Sequence, residues 1–156
     1  MDTAPIRWGI IGTGRFGRIH AKAIQSLHGQ ELVAMSNRSS ERLVQAVTDF
    51  QVPHSYPDFE QLLDDPNVDA VSITTHWRDH FEIAQAALAA GKHVLLEKPM
   101  AETAAQCGEL VKQARQANGR FMVGHICRFD PLSTLATAAT TSVQPPRLFP
   151  SHDQRN

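Results

Sequence analysis

The sequence predicts an α/β protein in which a doubly wound parallel sheet is covered by helices on both faces. Between Ile6 and Gly124, short apolar runs alternate with longer segments whose apolar residues recur at helical spacing. The short runs are apolar on both strand faces, as expected for parallel strands buried on both sides. Apolar residues make up 42% of the 156 residues and charged residues 20%, a composition typical of a globular domain.

The first two strands are each followed by a helical pattern. The run IRWGII at 6–11 predicts a buried central strand. A helix that ends near Gly29 follows, and its apolar residues are predicted to form one stripe: Phe16, Ile19, Ala23, Ile24 and Leu27. ELVAMS at 31–36 predicts the second strand, and Ser39 predicts the cap of a helix that runs through Val47.

The middle of the chain contains the least regular pair of elements. Pro53 and Pro57 restrict a third strand to a short one at the sheet edge, because proline cannot donate a ladder hydrogen bond. Three apolar residues predict a short helix after it: Phe59, Leu62 and Leu63. AVSIT at 70–74 predicts the fourth strand, and a helix from about Asp79 to Ala90 follows, with Gly91 ending it.

The last elements complete the alternation. HVLLE at 93–97 predicts the fifth strand. Thr103 and Gln106 have the spacing of a capping box, and the helix they open is predicted to end at residues 118–119. FMVG at 121–124 predicts the sixth strand. Five strand–helix units closed by a sixth strand are the arrangement of a doubly wound nucleotide-binding domain.

The composition changes near Pro131. Residues 131–156 contain four of the nine prolines, no glycine and no lysine. No helical or strand period is sustained there, and serine, threonine, alanine and proline predominate. We therefore expect one nucleotide-binding domain over residues 1–130 and an irregular tail over 131–156, either disordered or produced by a frameshift.

Charge and composition disfavour several classes of partner. Fifteen basic and 16 acidic residues give a formal net charge of −1, so neither nucleic acid nor an anionic membrane is expected as a partner. No apolar run approaches the length of a membrane helix, and the first residues do not have the pattern of a secretory signal. We expect a cytoplasmic protein whose two cysteines, Cys107 and Cys127, stay reduced.

A glycine-rich motif lies between the first strand and the first helix. The six residues form G-x-G-x-x-G: Gly12, Thr13, Gly14, Arg15, Phe16 and Gly17. In a Rossmann dinucleotide-binding fold the first glycine permits a tight turn, the second lets a pyrophosphate approach the backbone, and the third lets the helix pack on the strand. The alternative is a turn that only connects the two elements. Because the motif directly follows a predicted strand, opens a predicted helix and is followed by a second strand, cofactor binding is favoured over this alternative.

The end of the second strand bears on the choice between NAD and NADP. An acidic residue usually binds the ribose 2′-hydroxyl of NAD about 20 residues after the motif. Here the corresponding residues are Ser36, Asn37 and Arg38. Ser36 and Asn37 can donate hydrogen bonds to a 2′-phosphate, and the Arg38 guanidinium can bind it through charge-assisted hydrogen bonds. This favours NADP slightly. The alternative is that Asn37 serves NAD and that Arg38 is a solvated surface residue.

Two further segments resemble one known family of oxidoreductases. They are VSITTHWRDHFEIAQAALAAGKHVLLEKPMAET at 71–103 and FMVGHICRFDP at 121–131. Together with the glycine motif, they resemble the glucose-fructose oxidoreductase, inositol dehydrogenase and MocA (Gfo/Idh/MocA) family over residues 6 to about 131. The resemblance implies hydride transfer between a nicotinamide dinucleotide and a sugar, a polyol or a related alcohol or carbonyl compound.

The resemblance also implies roles for particular residues. Lys98 is expected to be catalytic, hydrogen-bonding the reacting oxygen near the nicotinamide beside Glu97. Residues expected near the nicotinamide end of the cofactor are Thr75, Trp77, His80, Glu97, Lys98 and Arg128. His125 is as consistent with a packing role as with a role at the site. His76 replaces the proline common in the family, and its spacing from His80 does not make a convincing metal site, so no metal is expected.

A second domain of the family is expected to be missing from this chain. In the family an α+β domain carries the substrate contacts, an Asp-x-x-x-His acid/base pair and the interface of the usual homo-oligomer. No Asp-x-x-x-His occurs in the 156 residues. We expect a truncated or frameshifted member that binds cofactor without full activity and meets substrate only if a second domain is supplied. The alternative is a stand-alone nicotinamide-dinucleotide-binding module without catalysis.

Overall fold

The computed structural model describes residues 4–131 and contains, within them, one six-stranded sheet with five α-helices. The elements are β1 (Ile6–Ile11), α1 (Arg15–Ser26), β2 (Gln30–Ser36), α2 (Ser40–Phe50), β3 (His54–Tyr56), α3 (Phe59–Asp64), β4 (Ala70–Ile73), α4 (His80–Ala89), β5 (His93–Leu96), α5 (Ala104–Gln116) and β6 (Phe121–Val123). The strand order is β3-β2-β1-β4-β5-β6, and every neighbouring pair is parallel. The predicted doubly wound Rossmann fold is confirmed.

The direction of strand addition reverses between β1 and β4. From β1 the chain first builds outward through β2 to β3, then returns to the other side of β1 and continues to β6. In the register of this central pair, Ile10 lies beside Ser72 and Ile11 beside Ile73. A reversal of this kind opens a crevice at the carboxyl ends of the two strands, because their connections leave in opposite directions.

The predicted caps explain where several helices begin and end. The Ser39 hydroxyl accepts a hydrogen bond from the Arg42 N–H at the start of α2. Thr103 and Gln106 form the reciprocal capping box at the start of α5. After α4 the chain leaves the helix through Gly91, whose φ of 72° is a left-handed conformation that favours glycine.

Helices cover both faces of the sheet and form two apolar cores. On one face, α1 and α2 pack on β1 and β2; the buried residues there are Ile10, Ala21, Ile24, Leu32, Met35, Leu43, Ala46, Phe50 and Val52. On the other face, α3, α4 and α5 contribute Leu62, Ile83 and Leu110, among others, to the second cluster. Each fully buried large side chain of this kind contributes about 1.5–3 kcal/mol, so the two cores account for most of the fold's stabilisation.

Of the stripe predicted on α1, Ile24 is buried and the other residues are exposed. The residues that α1 buries are Gly17, Ala21 and Ile24, whereas Phe16 and Ile19 are 45% and 49% exposed. The first turns of the helix lie so close to the glycine turn that a glycine is required at position 17, and Phe16 and Ile19 lie on another side. Two boundaries also differ: α1 ends at Ser26, and α2 continues to Phe50 because that ring is buried in the core.

The chain divides after Gly124 into two units, Met1–Gly124 and His125–Asn156. Of the second unit the structure describes residues 125–131, which contain one 3-10 turn at Ile126–Phe129. The irregular tail predicted from Pro131 onward lies, beyond that first residue, outside the described part of the chain. Among the described residues, no helix has the length and apolar character needed to cross a membrane.

Candidate cofactor-binding site

A crevice of about 490 Å³ opens at the carboxyl ends of β1, β2 and β4. Its walls come from the glycine-rich turn, the residues after β2, the segment before α3 and the loop after β4. Residues of the first, second and fourth strand ends thus surround one space. This is the place where open parallel sheets bind their ligands.

Gly12 makes the tight turn that the sequence predicts. Its φ is +98°, and an added Cβ would come within 2.9 Å of the backbone of Thr74. The Gly12 N–H donates to the Ser36 carbonyl oxygen at 2.8 Å, and the Thr74 hydroxyl donates to the Gly12 carbonyl oxygen at 2.6 Å. The turn is therefore hydrogen-bonded to the ends of both neighbouring strands.

The other two glycines of the motif have different surroundings. An added Cβ at Gly17 would lie 2.0 Å from the Gly12 carbonyl oxygen, so only glycine allows α1 to pack this closely. At Gly14 nothing lies within 4 Å of such an atom, and this open space borders the crevice. Gly14 is also the N-cap of α1 and supplies no side-chain cap. A pyrophosphate fits this position, because it could approach the backbone and meet the positive end of the helix dipole.

Thr13 and Asn37 hold the two sides of the turn together. Thr13 is 3% exposed, and its hydroxyl oxygen accepts a hydrogen bond from the Asn37 side-chain amide at 2.7 Å. The Asn37 side-chain oxygen, Oδ1, in turn accepts a hydrogen bond from the Ser39 N–H at 2.8 Å. Ser36 is 2% exposed. Much of the hydrogen-bonding capacity predicted for a cofactor phosphate is thus used within the protein.

Charges of both signs line the crevice. Arg38 and Arg42 lie on one wall, and four acidic residues lie around them: Asp58, Glu60, Asp79 and Glu82. Arg38 is largely exposed, and its guanidinium lies 3.6 Å from the Asp79 carboxylate, an exposed pair of modest strength. The guanidinium of Arg38 can rearrange toward a ligand at little cost.

The loop after β4 is tied to the turn after β5 by a buried histidine. His80 is 1% exposed; its Nδ1 lies 2.7 Å from the Pro99 carbonyl oxygen and its Nε2 3.3 Å from the Thr75 carbonyl oxygen. Thr75 lines the crevice. The Trp77 ring lies 5.0 Å from the Arg78 guanidinium. His80 therefore connects the loop after β4 to the turn after β5 from a buried position. A direct contact of His80 or Trp77 with a cofactor remains a prediction.

Glu97 and Lys98 follow β5 directly and have contrasting surroundings. Glu97 is 7% exposed, and its carboxylate lies 3.1 Å from Nε2 of His20. Lys98 is exposed, with its ammonium 6.0 Å from the centre of the Phe16 ring, and the Lys98–Pro99 peptide bond is cis. The carboxylate is thus fixed inside the protein, whereas the ammonium is accessible for chemistry.

His20 and Ser72 belong to this arrangement and are absent from the residues predicted by sequence. Nδ1 of His20 lies 2.7 Å from the Ser72 hydroxyl, which is fully buried on β4. One signal in the sequence could have indicated Ser72, since it is the polar residue within the apolar run AVSI. His20 gives no such signal, because a histidine on a partly exposed helix is unremarkable.

Two further residues, Arg15 and Arg128, are predicted to bind the cofactor and do not line the crevice. Arg15 is exposed in the first turn of α1. Arg128 belongs to the unit that begins at His125, so its expected place near the cofactor stays a prediction. Within residues 4–131, no group of three or more histidine, cysteine, aspartate or glutamate side chains is arranged to hold a metal ion.

Comparison with known proteins identifies the family. A model of the Gfo/Idh/MocA oxidoreductase family, described as its NAD-binding Rossmann fold, matches residues 6–125. This chain belongs to that family. The match includes the glycine turn, the loop after β4 and the Glu97-Lys98 turn, so the predicted resemblance is confirmed over those segments.

Relatives in this oxidoreductase family include several dehydrogenases of inositols. The chain is 38% identical over 128 residues to an inositol 2-dehydrogenase/D-chiro-inositol 3-dehydrogenase of Halalkalibacterium halodurans, a match that covers 80% of the chain and 37% of that protein. It is 34% identical over 125 residues to a myo-inositol 2-dehydrogenase of Thermotoga maritima, with the same coverage.

A solved structure of scyllo-inositol dehydrogenase from Lactobacillus casei, with bound NAD(H) and scyllo-inositol, has the same fold. The TM-score is 0.81 at 30% identity, and the match covers 88% of this chain and 41% of that one. The chain therefore spans about two fifths of the length of these relatives.

Proposed function

We propose that this chain is the nicotinamide-dinucleotide-binding part of an oxidoreductase that transfers hydride to or from a sugar, a polyol or a related compound. The open space at Gly14 carries the proposal, because it adjoins the uncapped start of α1 in a crevice bounded by Gly12 and Thr74. The family match and the NAD(H)-bound relative support the same assignment. The substrate class comes from the relatives' activities.

The crevice residues divide into two roles in this proposal. The glycine turn and the first turn of α1 bind the pyrophosphate through backbone N–H groups and the helix dipole. Arg38, Arg42 and Thr75 line the crevice. In this proposal the two arginines bind the adenosine end of the cofactor, and Thr75 and the turn after β5 bind the nicotinamide end. Bound nicotinamide supplies the hydride acceptor or donor.

Lys98 acts on the substrate oxygen in this proposal. Its ammonium donates a hydrogen bond to the hydroxyl or carbonyl oxygen, which orients the carbon toward the nicotinamide and polarises the C–O bond. Glu97 is buried and hydrogen-bonded on both carboxylate oxygens, so its role in this proposal is to position the turn. The exposed Lys98 is the group that can move a proton.

We further propose that the chain prefers NADPH over NADH, although by a modest factor. No carboxylate occupies positions 36–38 to repel a 2′-phosphate, and Arg38 lies in the crevice with a weak partner. A guanidinium suits the phosphate because it donates two parallel, charge-assisted hydrogen bonds. The acidic residues of the same crevice oppose a doubly charged phosphate and limit the preference.

Fluorescence titration with NADH and NADPH tests both the proposed cofactor binding and the proposed preference for NADPH. The wild-type chain should bind both cofactors, and Arg38→Ala should weaken NADPH by about tenfold while leaving NADH nearly unchanged. Arg115→Ala, an exposed arginine on α5, is the matched control and should alter neither affinity. Absence of cofactor binding by the wild type would overturn the proposed function; equal losses for the two cofactors in Arg38→Ala would overturn the NADPH preference.

A cofactor-binding module without catalysis is the second candidate. The observation in its favour is that the family match, at residues 6–125, is to the NAD-binding Rossmann fold. An assay with saturating NAD or NADP and myo-inositol separates the two candidates. Turnover that disappears in Lys98→Ala supports the enzyme, whereas cofactor binding with no turnover supports the module.

A further inference from the structure

Three polar side chains from three different elements form a hydrogen-bonded chain beneath the turn after β5. Ser72 on β4 is fully buried, His20 on α1 is mostly buried, and Glu97 is 7% exposed. The distances are 2.7 Å from the Ser72 hydroxyl to Nδ1 of His20 and 3.1 Å from its Nε2 to Oε1 of Glu97. With Nε2 protonated, the ring donates to Glu97 and accepts from Ser72, so one tautomer satisfies all three groups.

Both oxygens of the Glu97 carboxylate are engaged. Oε1 faces His20, and Oε2 accepts a hydrogen bond from the backbone N–H of Lys98 at 3.1 Å. Gly124 packs against the same carboxylate, since an added Cβ there would lie 3.3 Å from Oε1. Removing His20 would leave one oxygen of a buried carboxylate without its partner, so the carboxylate would rotate toward water and release the Lys98 N–H.

Helix α1 also contacts the Lys98 side chain. The Lys98 ammonium lies 6.0 Å from the ring of Phe16, one helical turn before His20. The same helix begins at the glycine turn proposed to bind the pyrophosphate. A single rigid element therefore connects the phosphate end of the proposed cofactor site with both residues of the Glu97-Lys98 turn.

We propose that His20, anchored by Ser72, is a positioning residue that orients Glu97 and through it fixes the backbone of Lys98 at the nicotinamide end. This inference rests on the proposed function. It differs from a general structural role, because it requires the hydrogen bond from Nε2 and not merely a filled space beneath the sheet. The two ring nitrogens can be tested separately.

Two isosteric variants separate the nitrogens. Gln in His20→Gln can place a donor at the position of Nε2, whereas Asn in His20→Asn reaches only the position of Nδ1. In an amide NMR spectrum without cofactor, the Lys98 N–H resonance should move upfield in His20→Asn and Glu97→Gln, and should stay near its wild-type position in His20→Gln. The exposed His28 provides the control variant His28→Asn, which should leave the resonance unchanged.

Binding of a full cofactor and of a truncated one gives the second measurement. His20→Asn should weaken NADH binding by about tenfold and leave ADP-ribose, which has no nicotinamide, within about twofold of the wild type. His20→Gln should restore most of the NADH affinity. Equal losses for NADH and ADP-ribose, or equal behaviour of the Gln and Asn variants, would overturn the role of His20.

The two measurements also distinguish this inference from the proposed function. If the wild type binds no NADH, the proposed function fails, whereas the Lys98 resonance still reports whether His20 fixes the turn. If His20→Asn does not fold, Ser72→Ala frees Nδ1 with a smaller change of volume, and a partial upfield shift of the Lys98 N–H is expected. An unshifted resonance in Ser72→Ala would contradict the proposed anchor.

Discussion

At the amino ends of the strands, Arg7, Asp69 and Lys92 form hydrogen bonds within the protein, through side chains and backbone. The Arg7 guanidinium donates to both carboxylate oxygens of Asp69, at 2.9 and 2.7 Å, and to the Pro66 carbonyl oxygen at 3.1 Å. Lys92 donates to two backbone carbonyl oxygens, at 2.9 and 2.8 Å. At the carboxyl ends, by contrast, Arg38 has one exposed partner at 3.6 Å, and the space beside Gly14 is open.

Two acidic residues at the amino ends have lowered pKa values. The hydrogen bond from Arg7 holds the pKa of Asp69 below its ordinary value. Burial acts to raise the pKa of Asp65, but hydrogen bonds from Asn67 and Tyr56 outweigh it and the net pKa is lowered. At the amino ends these charges are thus paired within the protein, whereas at the carboxyl ends the crevice is lined by the glycine turn and by the weakly paired Arg38.

The largest effect on this difference between the two ends is expected from adding a side chain where α1 packs on the glycine turn. Gly17→Ala places a methyl group 2.0 Å from the Gly12 carbonyl oxygen, so α1 must move away from the sheet. We expect a loss of roughly 3 kcal/mol or more in the free energy of unfolding, together with loss of NADH binding. Urea denaturation followed by circular dichroism measures the first effect.

A second glycine provides the control for that substitution. Gly108 lies on the exposed side of α5 with nothing within 4 Å of an added Cβ. Gly108→Ala should stabilise the protein by about 0.5–1 kcal/mol, because alanine is the better helix former. If Gly17→Ala were as stable as Gly108→Ala, the close packing of α1 on the turn would be contradicted.

Gly14→Ala is expected to change NADH affinity without changing the free energy of unfolding. An added Cβ meets nothing in the protein, and the φ of −71° suits alanine. The free energy of unfolding should change by less than about 0.5 kcal/mol. NADH affinity should fall by about tenfold or more, since the methyl group occupies the space proposed for the pyrophosphate. Unchanged affinity would remove the pyrophosphate from this position.

The smallest effect is expected at the amino ends. Because the pKa of Asp69 is lower in the folded state, its contribution to stability is present above its unfolded pKa and is lost as the pH falls through its folded pKa. Asp69→Asn should lower the melting temperature by a few degrees at pH 7, and the difference from the wild type should shrink in acid below about pH 4.

That substitution should also leave NADH binding unchanged, since Asp69 lies at the opposite end of the sheet from the crevice. Asp64→Asn, at an exposed position on the end of α3, is the control and should alter neither property. A melting difference that grows as the pH falls would contradict the direction given for the pKa of Asp69.

The sequence predicted the strands and the glycine turn well, because both depend on local patterns. Apolar runs predict five of the six strands to within one residue at each boundary, and Pro53 and Pro57 predict that the third is short and at the sheet edge. Ser39 and Thr103 identify two helix starts. The buried face of α1 was mispredicted, because spacing alone cannot show that a close approach selects Gly17 and Ala21 over larger residues. Helix periodicity is a weaker guide where small residues form the contact.

The polar contacts beneath the site were out of reach for a different reason. His20 meets Ser72 across 52 positions and Glu97 across 77, and no local pattern records such pairings. The carboxylate of Glu97 is buried, and its expected contact with the cofactor stays a prediction. Only the three-dimensional arrangement shows that the buried carboxylate of Glu97 accepts a hydrogen bond from His20 and from the backbone N–H of the exposed Lys98.

The bonding of the glycine turn has a consequence for how this segment tolerates change in length. Its backbone is fixed at three points: Gly12 to Ser36, Thr74 to Ile11, and Arg18 to Gly14. A residue inserted between positions 12 and 17 would break at least one of these bonds, whereas replacement of the exposed Arg15 breaks none of them. The number of residues in the turn is thus more constrained than the identity of those between its glycines, and a library that varies sequence there should hold its length constant.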